Sequence, residues 1–258
     1  AYLKPSDIIT KAARGMRRVA VAAWRLFNAM HAVWKNLCSH TLDMTMIKDE
    51  LESYTANLIG RVGPDAAAVV FDGQIGEASM VVGAALHTGQ RAPMFELPDA
   101  QGQLVALRNL LDRGSVIVTF YRGGWCPYCN IALRALQSHL PQIKQCGATL
   151  VAVSPELPDQ SLSTQEKLAL AFDVLSDRDN EVTRRFGLVY RVSDTARVRL
   201  LALGRDLVAH NGTQSWELPI TATYVIDQNG VIVFDHLDAD YRDRLEPSLI
   251  VDALARQR

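Results

Sequence analysis

Apolar runs and amphipathic stretches alternate along the second half of the chain. Runs typical of buried strands lie at 115–121 (SVIVTFY), 148–154 (ATLVAVS) and 172–175 (FDVL), and patterns that predict helices lie at about 127–145, 161–170 and 179–186. Farther on, the runs TATYVID and VIVFDHL are joined by Gln228-Asn229-Gly230, and Asn-Gly between two such runs predicts a β-hairpin. Alternation of strands and helices that closes with a hairpin predicts an α/β fold, with helices flanking a mixed central β-sheet.

The sequence ahead of these elements has weaker patterns. From Met44 it predicts a helix over about 45–60, and a Gly- and Ala-rich stretch without a clear period then runs to about residue 88. Residues 89–111 carry turn residues between two short apolar segments, which predicts a β-hairpin followed by a helical turn. We therefore expect three parts: an appended segment (1–43), a helical extension (44–87) and an α/β domain that begins with this hairpin (88–258).

The appended segment differs from the rest in charge. Residues 1–42 contain seven Lys or Arg and one acid, Asp7. Ring-bearing side chains recur there at helical spacing, which predicts an amphipathic helix rather than a membrane span; they are Trp24, Phe27, His31 and Trp34. A basic helix on an anionic membrane and an Arg-rich targeting peptide are both open. A third alternative is that the sequence upstream of Met44 is not part of the native protein.

Composition narrows the classes of function. With 48% hydrophobic and 21% charged residues, the 258-residue chain is expected to be globular with a sizeable core. A net charge of −1, with no basic run interleaved with aromatic residues, argues against nucleic acid as a partner. We expect no stable membrane span, and we expect the protein to be cytoplasmic. Four cysteines are too few for a secreted disulfide scaffold, so reactive or merely buried thiols are expected.

Two of these cysteines lie three positions apart in YRGGWCPYCN (121–130), directly after the first buried strand. Such a pair is half of a structural zinc site, but no second C-x₂-C or H-x₃₋₅-H follows to complete it. A static disulfide across two intervening residues would remove little chain entropy and would brace the fold poorly. Redox chemistry is therefore favoured over a metal site or a structural disulfide, and no metal or other cofactor is expected.

Position assigns different roles to the two thiols. Cys126 falls between a strand and a helix that begins at Pro127, a residue favoured at the first helical position. Unpaired backbone N–H groups and the helix dipole should lower its pKa below the free value of about 8.5, and Arg122 is a nearby cation. Cys129, one turn later, can attack a sulfur species bound to Cys126 and close a disulfide. Cys126 is thus expected to be the nucleophile and Cys129 the resolving thiol.

These residues resemble a known family. WCPYC resembles the active-site turn of thioredoxins and glutaredoxins, and the flanking segments resemble the peroxiredoxin-like (AhpC/TSA) branch of the thioredoxin superfamily. The segments that carry the resemblance are GQRAPMFELPDAQGQLVAL, VIVTFYRGGWCPYC, LPQIKQCGATLVAVSPE, FDVLSDRDNEVTRRFGL and LPITATYVIDQNGVIVF. The resemblance implies a thioredoxin-like fold with an N-terminal β-hairpin extension and a cis proline, Pro219, that faces the cysteines. It also implies reduction of peroxides or disulfides at Cys126.

The chain departs from the usual peroxiredoxin pattern at three positions. Typical members carry Pro seven residues and Thr or Ser three residues before the reactive cysteine, and Arg at the start of the hairpin strand. Here these positions are Thr119, Gly123 and Thr221. Their loss weakens the case for fast peroxidase turnover, because the missing hydroxyl and guanidinium normally stabilise the breaking O–O bond. Arg122 is expected either to replace the guanidinium or to form a surface ion pair.

Other residues receive smaller roles. Trp125 is expected to cover one side of the cysteine turn or to pack in the core, and Cys146 is either a buried thiol or a secondary resolving thiol. Residues 188–215 form an insertion in which Val198, Leu201 and Leu203 recur at helical spacing. Three roles are open for it: a lid over the cysteines, a contact with another subunit, or no functional role. His210 within the insertion has no evident partner.

The sequence thus favours an enzyme that reduces hydrogen peroxide or organic hydroperoxides through a Cys126–Cys129 dithiol–disulfide cycle. An exposed low-pKa thiolate is oxidised to a sulfenic acid, which the second cysteine traps. Thioredoxin, glutathione or another thiol reductant is expected to regenerate the dithiol. Two alternatives remain open: a disulfide oxidoreductase without efficient peroxidase activity, and a non-enzymatic redox sensor. A homodimer is also left open.

Overall fold

The computed structural model describes residues 46–257. The amphipathic helix expected around Trp24 and the cysteine at Cys38 lie outside the described residues. Contacts group Thr45–Arg258 into one compact unit. Within residues 46–257, no helix is both long enough and apolar enough to cross a bilayer.

Helices and strands alternate as the sequence pattern predicts. The helices are α1 (Ile47–Val62), α2 (Pro64–Ser79), α3 (Leu107–Leu111), α4 (Pro127–Gln145), α5 (Pro158–Lys167), α6 (Glu181–Arg185), α7 (Asp194–Ala202), α8 (Leu207–Asn211) and α9 (Ser248–Ala255). The strands are β1 (Glu96–Pro98), β2 (Leu104–Ala106), β3 (Val116–Phe120), β4 (Thr149–Ser154), β5 (Asp173–Ser176), β6 (Val189–Arg191), β7 (Glu217–Pro219), β8 (Thr221–Ile226) and β9 (Ile232–Asp238). Short 3₁₀ turns occupy Val82–Ala84 and Arg178–Asn180.

The central sheet has five strands in the order β5-β4-β3-β8-β9. The strands β3, β4 and β5 run parallel, whereas β8 and β9 are antiparallel to their neighbours, so the predicted mixed sheet is confirmed. Val118 in β3 pairs with Val151 on one side and Tyr224 on the other. Because β3 is the central strand, the residues that follow it are held at the middle of the sheet edge.

Side chains of β3 alternate between two cores, one on each face of the sheet. Val116, Val118 and Phe120 belong to one core, and Ile117 belongs to the other together with Leu133 of α4. All five residues of β3 are buried, which explains why the sequence reads as one continuous apolar run. This burial on both faces makes β3 a rigid support for the turn that carries the cysteines.

The hairpin β1–β2, the helical turn α3 and the closing hairpin β8–β9 confirm the predictions for residues 89–111 and for Asn229-Gly230. The Gly- and Ala-rich stretch differs from expectation, since residues 64–79 form a second full helix, α2. Pro64 begins α2 after Gly63, whose φ of 84° bends the chain sharply between α1 and α2. The many small residues of α2 left no apolar stripe from which the helix could be recognised.

Candidate active site

The turn between β3 and α4 carries both cysteines. Cys126 is the N-cap residue of α4, with φ −92° and ψ 114°, and Pro127 occupies the first helical turn as predicted. The Cys126 N–H donates to the Gly123 carbonyl (3.1 Å), and Cys129 follows one turn later on α4. Each cysteine is only 1% exposed, and neither forms a disulfide. The expected exposed thiolate is therefore wrong, because both cysteines are buried.

Neighbouring groups favour ionisation of Cys126. Burial opposes it, but the hydrogen bond from the Cys129 thiol, and then the guanidinium groups of Arg122 and Arg244, hold the pKa of Cys126 well below the usual thiol value. Burial, the same hydrogen bond and the negative charge on Cys126 raise the pKa of Cys129 well above that value. The helix start predicts the same direction for Cys126. The reduced pair therefore holds its negative charge on Cys126.

Arg122 is buried, with 2% exposure, so the surface ion pair considered for it is wrong. Its guanidinium lies over the Tyr241 ring (4.0 Å to the centroid) and near the Trp125 ring (5.0 Å). The Nη2 atom donates a short hydrogen bond to the Gln74 side chain of α2, whereas Nε has no hydrogen-bond partner among the described residues. The aromatic rings and Gln74 therefore hold the cation beside the cysteine turn.

A second arginine, Arg244, contacts the pair from the other side. Its Nη2 atom lies 3.6 Å from Cys129 Sγ, and Nη1 donates a short hydrogen bond to the Thr221 hydroxyl. Thr221, which stands where typical peroxiredoxins carry Arg, thus orients a guanidinium that comes from a different part of the chain. Thr119 makes no contact of this kind: its hydroxyl lies 3.0 Å from that of Thr223 on the neighbouring strand.

Two cavities of different size adjoin the two cysteines. The cavity next to Cys126 has a volume of about 210 Å³, and its apolar walls come mainly from α1, α2 and the insertion. Residues of the insertion that line it are Leu200, Leu203 and Arg205. The cavity next to Cys129 has a volume of about 30 Å³ and is lined in part by Thr221 and Arg244. Of these two cavities, the one next to Cys126 is large enough for a small organic molecule and the one next to Cys129 is not.

Two glycines let the turn pack closely. Gly123 has φ 142°, and a Cβ atom there would overlap the Trp125 ring and come within 3.0 Å of Glu156 Cδ. A Cβ atom on Gly124 would overlap the Thr164 hydroxyl of α5. The hydroxyl that typical peroxiredoxins carry at position 123 therefore has no room in this site.

A buried carboxyl group lies beneath the turn. Glu156 follows β4, is 1% exposed and accepts a hydrogen bond from the Gly124 N–H (2.8 Å). Its other oxygen lies 3.5 Å from Nδ1 of His210, the residue for which the sequence suggested no partner. Burial, and to a smaller extent the charge on Cys126, raises the pKa of Glu156 to about 7, against the hydrogen bond from Gly124.

The raised pKa of Glu156 should make the stability of the protein depend on pH. A raised pKa in the folded state means that the native protein binds the proton more tightly, so stability falls as pH rises from about 4.5 to about 7. The full shift corresponds to about 3 kcal/mol. We expect Glu156→Gln to remove this loss, so that the variant gains stability over the wild type between pH 5 and pH 8 in urea unfolding.

Glu52 provides the matched control, because its side chain on α1 is 67% exposed. Glu52→Gln should follow the wild type at both pH values. A Glu156→Gln profile parallel to that of the wild type would contradict the raised pKa.

Of the residues predicted for the site, the structure brings together Arg122, Trp125, Cys126, Pro127 and Cys129, and it places Thr221 on the Cys129 side. Pro219 differs from expectation. No cis peptide bond occurs in residues 46–257, so the bond before Pro219 is trans. Pro219 pairs with Val189 in the antiparallel β6–β7 ribbon, where extended backbone lets the Ile220 N–H donate to the Leu188 carbonyl (2.7 Å). It lines neither cavity next to the cysteines.

Sequence reasoning missed Gln74, Glu156, Tyr241 and Arg244. Glu156 had one usable indication, because it follows a strand parallel to β3 and thus reaches the same sheet edge as the cysteines. Arg244 had none, since it belongs to the charged stretch DYRDRLEP, which is typical of an exposed loop.

Comparison with known proteins adds a family to this geometry. Residues 88–235 match the AhpC/TSA family. Peroxiredoxin Bcp of Escherichia coli K12 is 32% identical over 103 residues, which make up 40% of this chain and 65% of that protein. A Mycobacterium tuberculosis relative is 30% identical over 148 residues, or 57% of this chain and 83% of that protein.

Solved structures agree on the fold. The peroxidoxin BcpB from Mycobacterium tuberculosis has a TM-score of 0.53 at 20% identity, and the match covers 67% of this chain and 99% of that one. This likeness establishes a thioredoxin-like fold. The family match spans more than half of the chain and includes the β3–α4 turn with both cysteines. The chain therefore belongs to the AhpC/TSA family, and the relatives that it matches include proteins named peroxiredoxins.

Proposed function

We propose that the protein reduces small hydroperoxides through a dithiol–disulfide cycle of Cys126 and Cys129. One observation carries this proposal above the alternatives: the Cys126 sulfur is buried at a cavity of about 210 Å³. A hydrogen peroxide or a small organic hydroperoxide fits this cavity as it stands, whereas a disulfide on the surface of another protein reaches a cysteine that is 1% exposed only if the walls of the cavity open.

In the first step the Cys126 thiolate attacks the terminal oxygen of the hydroperoxide. The S–O bond forms, the O–O bond breaks, and the leaving alkoxide or hydroxide takes a proton from solvent. Cys126 becomes a sulfenic acid while the peroxide is reduced to an alcohol or water. Arg122 is one of two arginines that line this cavity, and its guanidinium stabilises both the thiolate and the charge that develops on the leaving oxygen.

In the second step Cys129 attacks the oxidised Cys126, which forms the disulfide and releases water. Thioredoxin or another thiol reductant then returns the pair to the dithiol. A reducing compartment such as the cytoplasm would supply this reductant. Because the disulfide is buried as well, a protein reductant requires the walls of the cavity to open, and the insertion residues Leu200 and Leu203 lie at that wall.

A disulfide reductase is the second candidate function. Two observations favour it: the turn has the sequence WCPYC, and a hydroxyl-bearing side chain does not fit at Gly123. The two functions differ in the oxidant that the dithiol accepts.

The test measures turnover with three oxidants in the presence of a thioredoxin system: hydrogen peroxide, cumene hydroperoxide and insulin disulfides. We expect consumption of both peroxides and little reduction of insulin. Rapid insulin reduction without peroxide consumption would replace the proposal by the reductase, and no turnover with any of the three would leave a redox sensor. Cys146→Ser, which changes a cysteine at the far end of α4, is the control and should turn over normally.

A further inference from the structure

Arg244 contacts the sulfur of Cys129 directly. It comes from the segment between β9 and α9, and it is held there from two sides: Nη1 donates to the Thr221 hydroxyl and to the Asp243 carbonyl (3.0 Å). This arrangement aims Nη2 at Cys129 Sγ, 3.6 Å away, and away from the large cavity, which Arg244 does not line. The guanidinium is therefore positioned for Cys129, the thiol that reacts second.

We propose that Arg244 is a catalytic residue of the second step, in which its guanidinium stabilises the Cys129 thiolate that attacks oxidised Cys126. This role rests on the proposed dithiol–disulfide cycle. The sulfenic acid and the Cys129 thiol combine as one S–S bond forms and one S–O bond breaks. The thiol proton and the released hydroxide together make one water, so no further reactant is needed.

The charges around the pair set the order of the two steps. In the reduced protein, burial is the largest cause of the raised pKa of Cys129. The Cys126 thiolate, which accepts the hydrogen bond from Cys129, raises this pKa further. Oxidation of Cys126 to a neutral sulfenic acid removes that negative charge, whereas Arg244 and Arg122 stay in place. Cys129 then ionises next to two guanidinium groups. Oxidation of the first thiol thus activates the second.

The other titratable groups that face Cys129 do not replace this cation. Tyr121 and Tyr190 are buried, and burial raises the pKa of each, so both are neutral phenols at pH 7. His236 lines the small cavity, but burial lowers its pKa, and its Nε2 atom lies 3.5 Å from the Asp243 carboxylate. Arg122 contributes less than Arg244 to the pKa of Cys129.

The first measurement needs no peroxide. In a Cys126→Ser background, the serine hydroxyl provides a neutral stand-in for oxidised Cys126, and the pKa of Cys129 is read from alkylation rate against pH. We expect Arg244→Gln to raise this pKa by about one unit. The pKa in Arg244→Lys should lie between that of Arg244→Gln and that of the protein with Arg244 intact. Arg242→Gln is the matched control, because Arg242 lies two residues away and pairs with Asp240. An unchanged Cys129 pKa in Arg244→Gln would overturn the proposal.

The second measurement separates the two steps in a single turnover. Dimedone trapping at Cys126 reports the sulfenic acid, and loss of free thiol reports the disulfide. Arg244→Gln should slow disulfide closure about tenfold near neutral pH and shift its pH profile upward, while the rate of sulfenic acid formation changes less than about twofold. Equal slowing of both steps would overturn the role of Arg244 in the second step. Failure of the wild type to form any sulfenic acid would instead reject the proposed cycle and with it this second step, and the alkylation experiment would then show separately whether Arg244 lowers the pKa of Cys129.

Discussion

Cys126→Ser is expected to abolish peroxide turnover entirely, because Cys126 is the cysteine that lines the large cavity within residues 46–257 and its pKa is held well below the usual thiol value. Cys129→Ser should leave the first oxidation intact and accumulate a sulfenic acid on Cys126, since the partner that would trap it is gone. Stopped-flow measurement of peroxide consumption, combined with dimedone labelling and peptide mapping, distinguishes the two variants.

Two outcomes would contradict this assignment. Dimedone labelling of Cys129 rather than Cys126 would reverse the roles of the two thiols. A Cys129→Ser enzyme that cycles at the normal rate would mean that another thiol resolves the sulfenic acid, and Cys146 would be the first to test. The double variant Cys129→Ser with Cys146→Ser would then lose turnover.

Arg122→Met should slow oxidation of Cys126 by at least about tenfold, since loss of a single preorganised donor typically costs ~10²–10³ in rate. Methionine is chosen because its length and apolar surface preserve much of the packing between Trp125 and Tyr241, so the variant removes charge more than volume. The pKa of Cys126 should rise in the same variant. Arg122→Lys should recover the pKa better than the rate, because an ammonium lacks the planar array of donors.

Stopped-flow oxidation by hydrogen peroxide and alkylation against pH measure these two effects. Arg197→Met is the control, because Arg197 also stacks on a tryptophan, Trp216 (4.7 Å), but away from the cysteines. An Arg122→Met protein that is oxidised as fast as the wild type would remove Arg122 from the mechanism and would favour the disulfide reductase.

Local patterns predicted most elements of the fold. Pro127 after an apolar run marked the start of α4, and Asn229-Gly230 marked the β8–β9 hairpin, because both depend on backbone preferences of a few adjacent residues. The helix α2 escaped prediction for the opposite reason. Its Ala and Gly residues give no apolar stripe, and its contacts with the rest of the fold, such as those of Gln74 with Arg122 and of Phe71 at the large cavity, are not visible in the local sequence.

The candidate site divides in the same way. The two cysteines and Arg122 are close in sequence, so one short motif was enough to predict that they belong to the site. Arg244 is 115 residues from Cys129, and Glu156 is 32 residues from Gly124, so each reaches the turn only through the packing of the sheet. The burial of Arg122 could not be predicted from the sequence either, because the residues that cover it are distant in sequence: Gln74 of α2 and Tyr241.

The close packing at Gly123 also constrains how this site can change over evolutionary time. A codon change to threonine or serine at this position would not by itself recover the hydroxyl of typical peroxiredoxins, because the new side chain would collide with the Trp125 ring. The tryptophan would have to be lost first, and its loss would remove one of the two rings that hold Arg122. The two substitutions are therefore epistatic, and the intermediate would lack the hydroxyl and also one of the two rings that hold Arg122. Lineages that carry the Gly123–Trp125 pair are expected to keep it as a unit.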